Sequence, residues 1–180
     1  MQAEKFRAAQ GPLKERYWAD AKAALLTLKA KGTVDDSTVT CKVETGRGLA
    51  LAGIHPKCGG SGLDLCSGDL LLEALVACAG VSLKAAATVR DIPVKSAVVS
   101  VEGDVDLRGT LGVAKEVPVG FKEIRLRFDV ETNAGQDKLD QLVSVTERYC
   151  VIFQTIQHSP KTQVRINAVR GKSAAALASV

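Results

Sequence analysis

The stretch Leu71–Ala87 reads LLEALVACAGVSLKAAA, with Cys78 at its middle. Its apolar residues run nearly all round a helical projection. That predicts a helix from about Asp69 to Val89, buried on most of its sides. Immediately before it, residues 55–68 read HPKCGGSGLDLCSG, a loop by its glycine and serine content. Ser67 or Asp69 is placed to cap the helix, and Glu73 falls in its first turns, where negative charge is favoured. A thiol inside such a helix has a plain reading, since cysteine packs as a small hydrophobe. A chemical reading needs a second residue from elsewhere in the chain.

On the N-terminal side, the first thirty-odd residues read as helical. Leu13, Tyr17, Leu25, Leu26 and Leu28 form a broken stripe, Pro12 suits a first turn, and Gly32 stops the helix. Ser37–Thr45 alternates as a strand with Val39, Cys41 and Val43 on one face. Gly46-Arg47-Gly48 reads as a turn, and Leu49–Ile54 as the returning strand. On the C-terminal side, Lys95–Asp106 alternates as a strand and residues 108–119 read as a loop. Phe121–Glu131 alternates with one slip at Glu123 and puts its charges on a wet face. An amphipathic helix is expected over Gln136–Tyr149, a further helical turn over Cys150–Gln157, and a last strand over Thr162–Val169. Strands and helices are segregated rather than alternating, which argues an α+β fold.

The chain has 180 residues, 46% hydrophobic and 24% charged, with a formal charge of +4. These values fit a globular chain of one domain, or of one domain with an appended arm. Its charges are mixed, with no dense basic run, which argues against nucleic-acid binding. The opening residues, MQAEKFRAAQGPLKERYWAD, lack the apolar core of a secretory signal, and no uninterrupted apolar run reaches about 18 residues. The expectation is a cytoplasmic protein with no membrane span. There, the five cysteines at positions 41, 58, 66, 78 and 150 are core thiols, metal ligands or redox groups rather than structural disulfides.

Cys41, on the apolar face of a strand, reads as core packing. His55, Cys58 and Cys66 make a His-x2-Cys-x7-Cys pattern, a weak match to zinc sites, which usually show a closer pair; incidental thiols or a loop disulfide fit it better. Cys78 and Cys150 are set in LLLEALVACAGVSL and TERYCVIFQTI. Together these segments resemble the two cysteine motifs of the OsmC/Ohr family, and the order of elements over residues 37–169 is similar to that family's.

The resemblance implies an antiparallel sheet with a buried central cysteine-bearing helix, in an intertwined homodimer with each active site at the interface. It divides the chain into a helical arm (1–34), an OsmC-like domain (35–170) and a flexible tail (171–180). It implies a thiol-dependent peroxidase that reduces organic hydroperoxides, with Cys78 as the peroxidatic thiolate and Cys150 as its resolving partner. No cofactor or metal is implied. The reductant would be a dithiol: a lipoylated protein, thioredoxin or a small molecule. Burial alone raises a thiol pKa, and a mid-helix cysteine gains little from the helix dipole, so a cation is expected near Cys78. In the family this is an arginine held by a carboxylate. Arg47 is the best local match, with a plain turn residue as its other reading, and Arg148 and Arg90 come next.

The sequence departs from the family at Gly68, where a glutamate is frequent. Asp69 then becomes the carboxylate expected to hold the arginine. Val151-Ile152-Phe153 likewise replaces a frequent Pro-Val-Ser. Glu147 reads either as an aid to the second cysteine or as a solvated helix residue. Three functions therefore compete: an active peroxidase, a catalytically weak OsmC-like binding or stress-response protein, and a non-redox protein whose cysteines pack or bind metal. Tyr17 and Trp18 are expected to anchor the arm on the sheet or on a partner subunit.

Overall fold

The computed structural model describes residues 3–20, 23, 31–34, 40–45, 48–112 and 114–167. Arg47, the tail from residue 168 and the side chains of Tyr17, Trp18 and Cys41 lie outside what is described.

Helix α1 (Ala3–Ala19) is followed by three antiparallel strands: β1 (Lys31–Val34), β2 (Thr40–Thr45) and β3 (Gly48–Gly53). Two expectations for this region are corrected. Pro12 sits inside α1 rather than in its first turn, because the helix begins nine residues earlier, at Ala3. Gly32 does not stop a helix: it lies within β1 and pairs with Val43, where extended backbone is held by the neighbouring strand. The glycine-rich loop contains one turn of 3-10 helix (Pro56–Cys58) and a two-residue strand, β4 (Leu65–Cys66), which runs parallel to β3.

Helix α2 (Ser67–Val89) then crosses the molecule. Its N-cap is Cys66, with no side-chain cap bond, so neither Ser67 nor Asp69 is the cap; both fall inside the first turn because the chain enters the helix directly from β4. At its far end, Arg7 of α1 donates to the Val89 carbonyl at 2.8 Å and to Asp91 at 2.7 Å. A cation at a helix C-terminus is favourably placed.

Strands β5 (Ser96–Val105) and β6 (Phe121–Glu131) form an antiparallel ribbon. The slip in alternation at Glu123 corresponds to a bulge: Asp104 opposes Glu123, but the next residue, Val105, opposes Phe121. The outer face carries charge ladders, as its alternation requires. Arg125 pairs with Asp104 at 2.5 Å and Glu102 at 3.3 Å, and Arg127 with Asp129 at 2.6 Å. Within the 108–119 region, residues Leu107–Thr110 form the short helix α3, capped by Asp106, which accepts from the Arg108 amide.

Helix α4 (Gln136–Tyr149) and helix α5 (Val151–Gln157) meet at Cys150, which has extended backbone and is at once the C-cap of one and the N-cap of the other. The expected last strand is not formed over residues 161–167; Val164 and Ile166 there are 95% and 91% exposed. A two-fold alternation marks a segment able to pair but supplies no neighbouring edge, and none reaches these residues within this chain's described part.

The core has two parts. Leu83, Ala86, Ala87, Ile92 and Leu142 join α2 to α4, with Phe128 and Val130 of β6 against them. Leu75, Ala79 and Cys150 join α2 to the α4–α5 junction, with Val99, Val101, Ile124 and Leu126 of the ribbon beneath. By length and composition α2 could cross a membrane, but here it is a core helix laid on the β5–β6 ribbon. The opposite face is open: Ala74, Ala77 and Val81, spaced as one helical stripe, are exposed, Val81 by 72%.

Candidate active site

Two thiols far apart in sequence meet in the second core cluster. Cys78 projects from the middle of α2, whose buried face is set by Leu75, Ala79 and Leu83 at helical spacing. Cys150 is brought there by the break between α4 and α5, because Thr146 is locked one turn earlier, fully buried and donating to the Leu142 carbonyl at 2.7 Å. Cys150 is itself fully buried, while Cys78 is half-buried.

The environment separates the two thiols. Burial pushes the Cys78 thiol up, but hydrogen bonds from the Ile152 amide, the Cys150 thiol, the Val151 amide and the Ser82 hydroxyl pull it down, leaving it below its ordinary value of 9.0. Cys150 is pushed above that value, first by burial and then by its hydrogen bond and charge interaction with Cys78, against the Phe153 and Ile152 amides. A thiolate held by donated hydrogen bonds at one sulfur disfavours a second negative charge beside it.

Among the described residues, the groups that lower the Cys78 pKa are two amides, a thiol and a hydroxyl; Arg47, the expected cation, lies outside them. Backbone amides at the start of α5 contribute first, because Cys150 ends α4 with extended backbone and leaves those amides without helical partners. Sequence reasoning missed Val151, Ile152 and Ser82. Ser82 stands one helical turn after Cys78 and was findable on that spacing. The amides carry no side-chain signal.

The other expected residues fall elsewhere. Asp69 lies nine positions before Cys78, about 13 Å along the helix at its rise per residue, and lines a different cavity with Cys58 and Cys66. Arg148 stacks on Tyr149, 5.6 Å from the ring centre, and Arg90 is the exposed C-cap of α2; neither is among the groups acting on Cys78. The half-buried Glu147 offers its carbonyl to Gln154 at 2.9 Å. His55, Cys58 and Cys66 share a cavity, yet among the described residues no three His, Cys, Asp or Glu side chains gather as a metal site, and His55 Nδ1 already accepts from the Lys57 amide.

A cavity of about 400 Å³ opens between α2, β6 and α5; neither cysteine lines it, but it shares walls with the cluster that holds them. Its walls include Leu75, Ile124, Leu126, Phe153 and Ile156, which also pack round the two cysteines. Lys122 and Glu123 are the charged residues at its edge.

Residues 60–165 match the family described as OsmC-like protein. No curated protein matches the chain in sequence. Solved structures share its fold. An OsmC-like protein from Mycoplasma pneumoniae superposes with a TM-score of 0.61 at 15% identity, over 74% of this chain and 89% of its own. An organic hydroperoxide resistance protein OsmC from Legionella pneumophila gives 0.58 at 19% identity, over 74% and 91%. An organic hydroperoxide resistance protein from Elizabethkingia anophelis gives 0.59 at 14% identity, over 75% and 91%.

Proposed function

The chain belongs to the OsmC-like protein family, and from that premise we propose that it is a thiol-dependent peroxidase reducing organic hydroperoxides to alcohols. One observation carries the reading: the half-buried Cys78 and the fully buried Cys150 meet in one core cluster, and their pKa values are driven in opposite directions. Perturbed titrations paired in this way divide the roles of two like groups.

The Cys78 thiolate attacks the distal peroxide oxygen. The O–O bond breaks, the alkoxide leaves and takes up a proton as alcohol, and Cys78 becomes a sulfenic acid. That step removes the Cys78 charge that adds to burial in holding the Cys150 thiol up, so Cys150 deprotonates more readily when it is needed. Its sulfur then displaces water from the sulfenic acid and forms the Cys78–Cys150 disulfide. An external dithiol, lipoylated or thioredoxin-like, restores both thiols by exchange.

The apolar walls of the cavity between α2, β6 and α5 favour a hydroperoxide with a hydrocarbon body over hydrogen peroxide, whose small polar molecule gains nothing from them. Arg47 and Asp69 are the remaining proposed contributors, Arg47 as a cation towards Cys78 and Asp69 as the carboxylate that orients it. We also assign the protein as a cytoplasmic homodimer, with residues 1–34 as an arm, 35–170 as the catalytic domain and 171–180 as a tail. The open stripe Ala74, Ala77 and Val81 on α2 supports the dimer, since an apolar helix face of this kind is stabilised by cover.

The test is consumption of cumene hydroperoxide by the reduced protein with a dithiol reductant, together with mass mapping of the oxidised form. Turnover with a Cys78–Cys150 linkage is expected. No turnover, with both thiols still free after a stoichiometric dose, overturns the proposal.

A further inference from the structure

A second, larger cavity of about 610 Å³ opens where the glycine-rich loop meets the start of α2 and the end of the β5–β6 ribbon. Cys58 and Cys66, both half-buried, are among its walls, with His55, Lys57 and Phe121. This is not the site of Cys78. Cys66 precedes Cys78 by twelve positions, about 18 Å along α2 at its rise per residue.

The backbone holds both thiols against the same strand end. Cys66 pairs with Gly53, the last residue of β3, and then begins α2. Cys58 leaves that strand end by one tight turn, its amide donating to the His55 carbonyl at 2.8 Å. The loop then closes back on its own entry: Gly59 has a φ of 95°, and the Gly60 amide also donates to His55, at 3.2 Å. A Cβ on Gly60 would fall 1.6 Å from the Ile54 carbonyl oxygen, so only glycine permits this closure. The loop is therefore packed into one shape, with Cys58 and Cys66 among the walls of one cavity.

Two other intrachain pairings for Cys66, with Cys78 and with Cys41, are blocked by reach. A disulfide needs Cα atoms within about 7 Å, which the span to Cys78 exceeds. Cys41 is paired with Ala52 on the far side of β3, while Leu65 and Cys66 pair on its near side. Two strand spacings, about 9.6 Å, separate those outer strands.

We propose that Cys58 and Cys66 are a second oxidisable dithiol, a modification site at which a hydroperoxide converts the pair to a disulfide across the cavity wall. One thiolate takes the distal oxygen and releases alcohol. The other thiol then displaces water from the resulting sulfenic acid. Two thiols and one hydroperoxide thus give one disulfide, one alcohol and one water. The bond ties the loop to the N-cap of α2 and narrows the cavity. The assignment stands apart from the reaction of Cys78.

The full reduced chain is treated with tert-butyl hydroperoxide, and remaining thiols are blocked with iodoacetamide. It is then cut with trypsin and with a protease that cleaves before aspartate. Cleavage after Lys57 and before Asp64 and Asp69 places Cys58 in residues 58–63 and Cys66 in residues 64–68. These two peptides are expected joined, two hydrogens lighter than their sum, in the wild-type chain and equally in Cys78→Ser. The joined species should vanish in Cys58→Ser and in Cys66→Ser, leaving the surviving thiol blocked by iodoacetamide. Recovery of both peptides fully blocked, with no joined species, overturns the proposal. So does a joined species that forms in the wild type but not in Cys78→Ser, or a link that runs only between two chains. Loss of Cys78 oxidation with the 58–66 link intact would instead count against the peroxidase reading alone.

Discussion

Cys150, wholly buried between α4 and α5, shares one core cluster with Cys78 of α2; its thiol helps to lower the pKa of Cys78, while burial first and Cys78 after it push that of Cys150 up. The two sulfurs are thus unequal at rest, and the proposed order of their reactions draws on that inequality.

Replacing each cysteine should therefore give different losses. Cys78→Ser is expected to abolish hydroperoxide consumption. Cys150→Ser should keep the first stoichiometric oxidation but leave Cys78 open to sulfinic acid, seen as two added oxygens by mass spectrometry. Undiminished turnover in Cys78→Ser would refute the mechanism.

The pH dependence follows from the lowered Cys78 pKa. The reactive form is the thiolate, so the alkylation rate of Cys78 should be fully developed above its folded pKa and fall as pH drops through it. The midpoint should lie below the ordinary 9.0. Cys150→Ala, which removes one donor, should move the midpoint upward. A midpoint that does not move would show that the Cys150 thiol gives no support.

Ser82→Ala probes the remaining donor, and Arg47→Ala the proposed cation. Each should slow the first oxidation at neutral pH by less than tenfold, because the Ile152 and Val151 amides and the Cys150 thiol stay in place; a tenfold change in thiolate fraction corresponds to about 1.4 kcal/mol. Stopped-flow rates decide it. A loss of a hundredfold or more for Arg47→Ala would make the arginine, not the amides, the principal support.

The open stripe of α2 gives a prediction about assembly. Val81→Glu places a charge on the most exposed large apolar residue of that helix. Sedimentation should show the wild-type chain as a dimer at micromolar concentration and the variant shifted towards monomer. A wild-type monomer would remove the dimer from the proposal.

Leu142→Ala separates fold from chemistry. Leu142 is buried in the cluster that joins α2 and α4, away from the thiols. Its truncation should cost about 2–5 kcal/mol of stability. The Cys78 alkylation midpoint should not change while the protein remains folded.

Much of the fold was legible in the chain. Phe121–Glu131 and Gln136–Tyr149 were found at their observed bounds because each has one buried and one wet face, which fixes the period of its sequence. The α2 helix and the α+β class were legible for the same reason: side-chain hydrophobicity is local information. The pairing of Cys78 with Cys150 came through the resemblance, and spacing alone would not have given it. Tertiary structure alone decided how their charges are held. Backbone amides are present at every non-proline residue, and only the break at Cys150 leaves those of Val151 and Ile152 free to reach Cys78. It also decided that Thr162–Val169, whose alternation suits a strand, has no strand over residues 161–167, because a strand needs an edge supplied by a distant segment and periodicity carries no record of one.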